Sequence, residues 1–157
     1  MNFLLAIDSG LKTGLAMYGR DGRLIWYRSQ HFASPPRLKK AVYGIMNEAP
    51  SLSLIIIEGG GHLADIWKKE AERRQIKILQ INAETWRRDL LYQREQRGHK
   101  KAKLNACLLA RKVIEWSGTP RPTSLRHDAA EAILTGLWGV HHIGWIKKLP
   151  PGIQKIF

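Results

Sequence analysis

The sequence predicts an α/β domain: a five-stranded mixed sheet, three antiparallel strands then two parallel strands, with helices on both faces. Three observations predict it. Short glycine-bearing turns join the first three apolar segments, which makes an antiparallel meander. Two later apolar segments, residues 52–57 and 76–81, are each reached through a stretch of helical periodicity, and such crossovers produce parallel pairing. The segment 52–57, Leu-Ser-Leu-Ile-Ile-Ile, is almost continuously apolar, as suits a central strand covered on both faces. With 157 residues the chain fills one domain, residues 1–157, of which 139–157 form a C-terminal tail that packs on the body or on a partner chain.

Taken in order, residues 2–8 are an apolar run ending at Asp8 and form the first strand. Ser9, Gly10 and Gly14 mark a tight turn, and residues 15–18 resume as the second strand. Gly19-Arg20-Asp21-Gly22 is a hairpin turn, and residues 24–32, with Ile25, Trp26 and Tyr27, have the content of a third strand. Ser34 caps a helix opened by Pro35 and Pro36, with Leu38, Ala41, Val42, Ile45 and Met46 at helical spacing and Pro50 marking its end. The fourth strand closes at Glu58 and is broken by Gly59-Gly60-Gly61. A helix over 62–75 and the fifth strand follow. Asn82 begins a short helix carrying Thr85, Trp86, Arg87 and Arg88, and the polar stretch 93–98 is a loop. Residues 100–116 form an amphipathic helix with Leu104, Cys107, Leu108, the Arg111 stem and Ile114 along one side. After the break at 118–122, Thr123 or Ser124 caps a last helix over 125–138.

The formal net charge is +13 and the sequence pI about 10.2. A compact domain so unbalanced repels itself until a polyanion neutralises it, which makes nucleic acid the first partner and an anionic membrane surface the second. Cys107 is the only cysteine, which excludes an internal disulfide and a cysteine zinc cluster; its apolar neighbours predict a buried thiol, and the count fits an intracellular, reducing compartment. No apolar run reaches the roughly 18 residues of a membrane span, and the start lacks the basic region of a signal peptide, so neither is expected.

The chemistry falls to the few acids. Asp8 and Glu58 close adjacent buried strands and so face one crevice, where α/β sheets hold ligands. Asp128 and Glu131 are three residues apart on the last helix and share a face, and Ala129, Ala130 and Ala132 let that helix approach the sheet. Each has a plainer role open to it: a turn former for Asp8, a salt bridge for Glu58, a helix-start charge for Asp128, a solvated face for Glu131. As a set they repel one another, and divalent cations remove that cost. Hard oxygen donors suit Mg²⁺ or Mn²⁺, two of which, about 4 Å apart, can activate a water and stabilise a leaving oxygen of a phosphodiester. The basic surface would hold the phosphate backbone.

Ala6-Ile7-Asp8-Ser9-Gly10-Leu11-Lys12-Thr13-Gly14-Leu15-Ala16 resembles the opening motif of the RuvC-type Holliday junction resolvases. Ile55-Ile56-Ile57-Glu58 resembles their second acidic strand, and His127-Asp128-Ala129-Ala130-Glu131-Ala132 their closing acidic helix. The resemblance spans most of the chain. It implies a ribonuclease H-like fold and a homodimer, each subunit cutting one strand of a four-way DNA junction with Mg²⁺ or Mn²⁺ to leave a 5′-phosphate and a 3′-hydroxyl. Asp8 would be the ligand shared between two metals, with Glu58, Asp128 and Glu131 completing the shells. No organic cofactor is implied. The chain departs from the family in two places. Glu131 stands where an aspartate is usual, and Gly59-Gly60-Gly61-His62 replace an aromatic wedge after Glu58 in the bacterial members. Trp67 and Trp86 are the candidates to replace that wedge.

The candidate phosphate contacts are Lys12, close to the site in its turn, Lys68, Lys69, Arg73 and Arg74 on one helix, Arg87 and Arg88 on the next, and Lys100, Lys101 and Lys103 at the start of the long helix. His127 is an auxiliary candidate, as metal ligand, proton donor or helix-start hydrogen-bonding residue. Other nucleases acting on flaps, hybrids or branched DNA share this chemistry, and a non-catalytic DNA-binding module shares the charge.

Overall fold

The computed structural model describes residues 2–49, 51–91 and 99–153. The loop expected at 93–98, and Pro50, lie outside these. Strands β1 (Phe3–Asp8), β2 (Lys12–Gly19), β3 (Leu24–His31), β4 (Leu52–Glu58) and β5 (Lys77–Ile81) form one sheet in the order β3-β2-β1-β4-β5. The first three pair antiparallel, and β4 pairs parallel with both β1 and β5. This is the mixed sheet expected from the sequence, and it is consistent with a ribonuclease H-like layout.

Helices α1 (Pro35–Asn47) and α2 (Gly61–Arg73) cover one face; α3 (Ala83–Leu90), α4 (His99–Ser117) and α5 (His127–His142) cover the other. The period of two along a strand sorts the side chains. Leu5, Ile7, Ile55 and Ile57 pack beneath α1 and α2 with Leu38, Val42 and Trp67. Leu4, Ala6, Leu54 and Ile56 pack beneath the other helices with Trp86, Ala110, Val113 and Leu134. The same alternation carries Asp8 and Glu58 to the face of α3 to α5.

Helix α5 is buried continuously from Ala129 to Val140. It lies so close to the sheet that a Cβ on Gly14 would sit 1.9 Å from the Asp128 carbonyl oxygen, and one on Gly139 2.1 Å from Ile56 Cδ1. The Tyr18 hydroxyl donates to the Ile133 carbonyl, tying the helix to β2. Gly136 and Gly139 cost the helix about 1 kcal/mol each. Burial of Ile133, Leu134 and Leu137, all fully enclosed, contributes about 1.5–3 kcal/mol each and wins.

Several expectations need correction. Strand β2 begins at Lys12, so Gly14 is a strand residue paired with Asp8 and not part of the turn. Neither Thr123 nor Ser124 caps α5; the N-cap position is Arg126, without a side-chain cap, and the helix continues through Gly139 to His142 before the tail begins. Leu104 and Leu108 are 60% and 51% exposed. Ile114 is buried as expected, but the rest of the buried side of α4 is Ala102, Ala106, Leu109, Ala110 and Val113, because small residues permit its close packing on α5. Cys107 is only partly buried, and burial pushes its thiol up. Within the tail, Trp145, Ile146 and Ile153 pack on the body. Ser34 does cap α1, accepting from the Arg37 N–H at 3.4 Å, with prolines in the first turn.

Candidate metal centre

One row across the sheet builds the site. The strand register aligns Ser29, Gly14, Asp8, Glu58 and Ile81, in that order, from β3 to β5. Asp8 and Glu58 are direct neighbours on parallel strands, and Gly14 beside them has no side chain, which leaves room for the first turn of α5. That turn brings Asp128 and Glu131 down onto the row. Carboxylate oxygens of Asp8, Glu58 and Glu131 lie within 4.8 Å of one another. Asp128 stands outside this cluster but lines the same cleft as Asp8, a cavity of about 700 Å³.

Asp128, Glu58 and Glu131 are each held by neighbours outside the cluster. The Ser29 hydroxyl donates to Asp128 Oδ2 at 2.8 Å. Trp86 Nε1 donates to Glu58 Oε2 at 3.3 Å, and the buried Thr135 hydroxyl lies 3.5 Å from the same oxygen. Arg87 Nη2 donates to Glu131 Oε1 at 2.8 Å, and His127 Nε2 lies 3.0 Å from that atom. The Glu58 carbonyl accepts from both the N–H and the hydroxyl of Ser9, which pins the end of β4 to the turn after β1.

The electrostatics follow from this crowding. Burial, then the charges of Glu58, Glu131 and Asp128, push the Asp8 carboxyl up to about 9. Burial and the Glu131 charge push Glu58 up to about 7, against the pull of Trp86 and Arg87. Burial works to raise Glu131 too, but the hydrogen bonds and charges of His127 and Arg87 outweigh it and hold that carboxyl low. Ionised together, the cluster is costly, and a cation offsets the cost. Three converging carboxylates could hold a metal ion, and their hard oxygen donors fit a divalent cation.

The expected site residues divide clearly. Asp8, Glu58 and Glu131 converge, Asp128 joins them at the cleft wall, and Lys12, Lys103 and His127 line that cleft with Arg126, Gln30 and His31. Lys100 and Lys101 are exposed at the start of α4, and Arg88 is exposed with Asp89 at 3.7 Å. Arg87, expected to face phosphate, is paired with Glu131. Lys68 donates to Gln80, while Lys69 lines a separate cleft with Lys39 and His62 between α1 and α2. Arg73 and Arg74 are bonded to Glu70, whose carboxyl the Arg73 hydrogen bond and its neighbours hold down to about 2.

Trp67 and Trp86 are both fully buried, so neither can replace a wedge that enters DNA. Sequence reasoning missed Ser29 and Thr135. Thr135 left one signal, as the only hydroxyl in the buried stretch of α5. Ser29 becomes visible only once the β2–β3 register is known.

Among the described residues no helix is long and apolar enough to cross a membrane. No protein-family model and no curated protein matches the chain.

Proposed function

We propose that this chain is a metal-dependent endonuclease that resolves four-way DNA junctions, using Asp8, Glu58, Asp128 and Glu131 with two Mg²⁺ or Mn²⁺ ions per site. One observation carries the reading: in a chain of net charge +13, an acidic cluster joins the ends of two central strands to helix α5, and its Asp8 opens with Asp128 on a cleft also lined by Lys12, Lys103 and Arg126. The junction as substrate rests on the resemblance of the three acidic motifs to the RuvC-type resolvases.

Bound divalent ions would supply charge neutralisation and Lewis-acid activation at the phosphodiester. The chain's own groups do the remainder. Lys12, Lys103 and Arg126 draw the phosphate backbone to the cleft mouth. Ser29, Trp86, Arg87 and His127 orient Asp128, Glu58 and Glu131 so that little reorganisation is left for the reaction itself. Symmetric cutting of a junction needs two sites, so the active form is a homodimer. Light scattering of the junction complex should give two chains per junction, and one chain per junction would remove paired cutting.

The deciding experiment offers an immobile four-way junction, a matched duplex and a flap, each with Mg²⁺, Mn²⁺ or chelator. Paired symmetric nicks in the junction, lost with chelator and in Asp8→Asn or Asp128→Asn, are expected. Those variants should bind the junction as well as or better than the parent, since less negative charge faces phosphate. Equal cutting of flap or duplex would leave a nuclease without the junction role. Binding without cutting of any substrate would leave a DNA-binding module.

A further inference from the structure

The acidic cleft does not end at its own walls. His31, at the end of β3, lines it, and also lines a second cavity of about 660 Å³ with Phe32, Ala33, Arg37, Lys40 and Ala41. This neighbouring cleft runs over the first turns of α1 and has no acidic residue in its lining. The first turn of α1 contains none either.

Exposed cations without an ion pair occur elsewhere on this basic chain, Lys77 and Lys147 among them; what marks the set at the two clefts is its position along adjoining cavities. Away from the clefts, several arginines meet acids: Arg28 pairs with Glu48, Arg73 and Arg74 with Glu70, and Arg121 with Glu115. Among the described residues, Arg37 and Lys40 form no ion pair, and neither do Lys12, Lys103 and Arg126 in the acidic cleft. A merely solvated face intersperses both signs. Here exposed unpaired cations form one path from Lys103 and Arg126, past Lys12 and His31, to Arg37 and Lys40.

We infer that the nucleic-acid track leaves the acidic cleft past His31 and continues over α1, where Arg37 and Lys40 take the phosphates of a duplex arm beside the cutting site. Phosphates recur along each strand, so a ligand seated in the first cleft presents more of them at its exit. An extended polyanion can occupy both clefts at once, whereas a compact anion would fill only one. This inference rests on the nuclease reading and extends it to where the substrate runs.

The test compares two double variants in an Asp8→Asn background, Arg37→Gln with Lys40→Gln and, as a control of equal charge, Lys77→Gln with Lys147→Gln. The control lysines are exposed and line neither cleft. Junction affinity is measured across a salt series. Each lost phosphate contact flattens the log–log salt slope by about 0.9, so the Arg37/Lys40 variant should lose about 1.8 in slope, with the control close to the parent. Unchanged melting temperatures are expected, because all four side chains are exposed. Equal slopes for the two double variants would overturn the track over α1 while leaving the nuclease reading intact. A loss seen on anionic phosphatidylserine vesicles but not on DNA would overturn it in favour of a membrane surface. If the Asp8→Asn parent binds no nucleic acid even at low salt, the track and the nuclease reading fall together.

Discussion

Two consecutive residues of α3 reach two different carboxylates: Trp86 donates to Glu58 and Arg87 to Glu131. The pair forms a bracket behind the acidic cluster, and it holds the glutamate at position 131 toward Asp8 and Glu58. The longer side chain has more freedom, and Arg87 with His127 removes it. Arg87 is partly shielded at 30% exposure and Glu131 at 9%, so this contact is screened less than a surface pair. Arg87→Gln should therefore lower cleavage about 10- to 100-fold, the usual effect of losing a group that orients a ligand. The acid limb of the pH–rate profile should move upward, because Glu131 loses a partner that holds its carboxyl down. Arg87→Lys should recover part of the rate. A variant with full activity and an unmoved profile would return Arg87 to the role the sequence alone assigns it, a phosphate contact. The sequence gives no hint of the bracket, since a basic residue in a basic chain looks like surface until its partner across 44 positions is known.

The site exists because one element comes close to another. Helix α5 brings its acids to the sheet only where β2 presents no side chain, at Gly14. Adding a Cβ there places it against the Asp128 backbone, which cannot yield as a side-chain tip can. Gly14→Ala should destabilise the fold by about 1–3 kcal/mol and abolish cleavage even below the melting temperature, by displacing Asp128 and Glu131 from the row. Gly44→Ala, within α1 with nothing in its way, should instead stabilise by about 0.5–1 kcal/mol and serves as the control. Thermal melts and nicking assays on the two variants check both statements, and an active, stable Gly14→Ala would refute the close-approach account. Element order and strand sense were legible because the apolar runs and glycine turns are local signals. Asp8 and Glu58 were legible as a facing pair because each closes one of two adjacent apolar runs. What escaped depends on contacts between distant elements. Gly14 reads as a turn residue until its pairing with Asp8 is seen. The leucines at 104 and 108 look buried until the small residues of α4 are found against α5.

Across the whole molecule, cations outnumber acids at the surface while three carboxylates press together beneath it. This makes stability depend on pH in a definite direction. In the unfolded chain Asp8 and Glu58 titrate near 3.8 and 4.5; in the folded chain they are raised to about 9 and about 7. Between those limits the folded state binds more protons, so their contribution is complete below pH 4 and is lost as pH rises through 7 and then 9. Glu131 has the opposite sign, but its lowered carboxyl acts only below about pH 4.5, outside this range. The other groups oppose the trend, since a chain at +13 gains from any loss of positive charge as pH rises. The informative quantity is thus a difference. Without metal, the parent should lose melting temperature relative to Asp8→Asn as pH increases from 5 to 9, because the amide never ionises. Added Mg²⁺ or Mn²⁺ competes with protons for the same oxygens, so its stabilisation of the parent should grow over that range and be much smaller in the variant. Parallel melting curves for parent and variant, or a divalent effect independent of pH, would mean that these carboxylates do not exchange protons for a cation. The acidic cluster would then be a structural feature, and the nuclease reading would lose its metal.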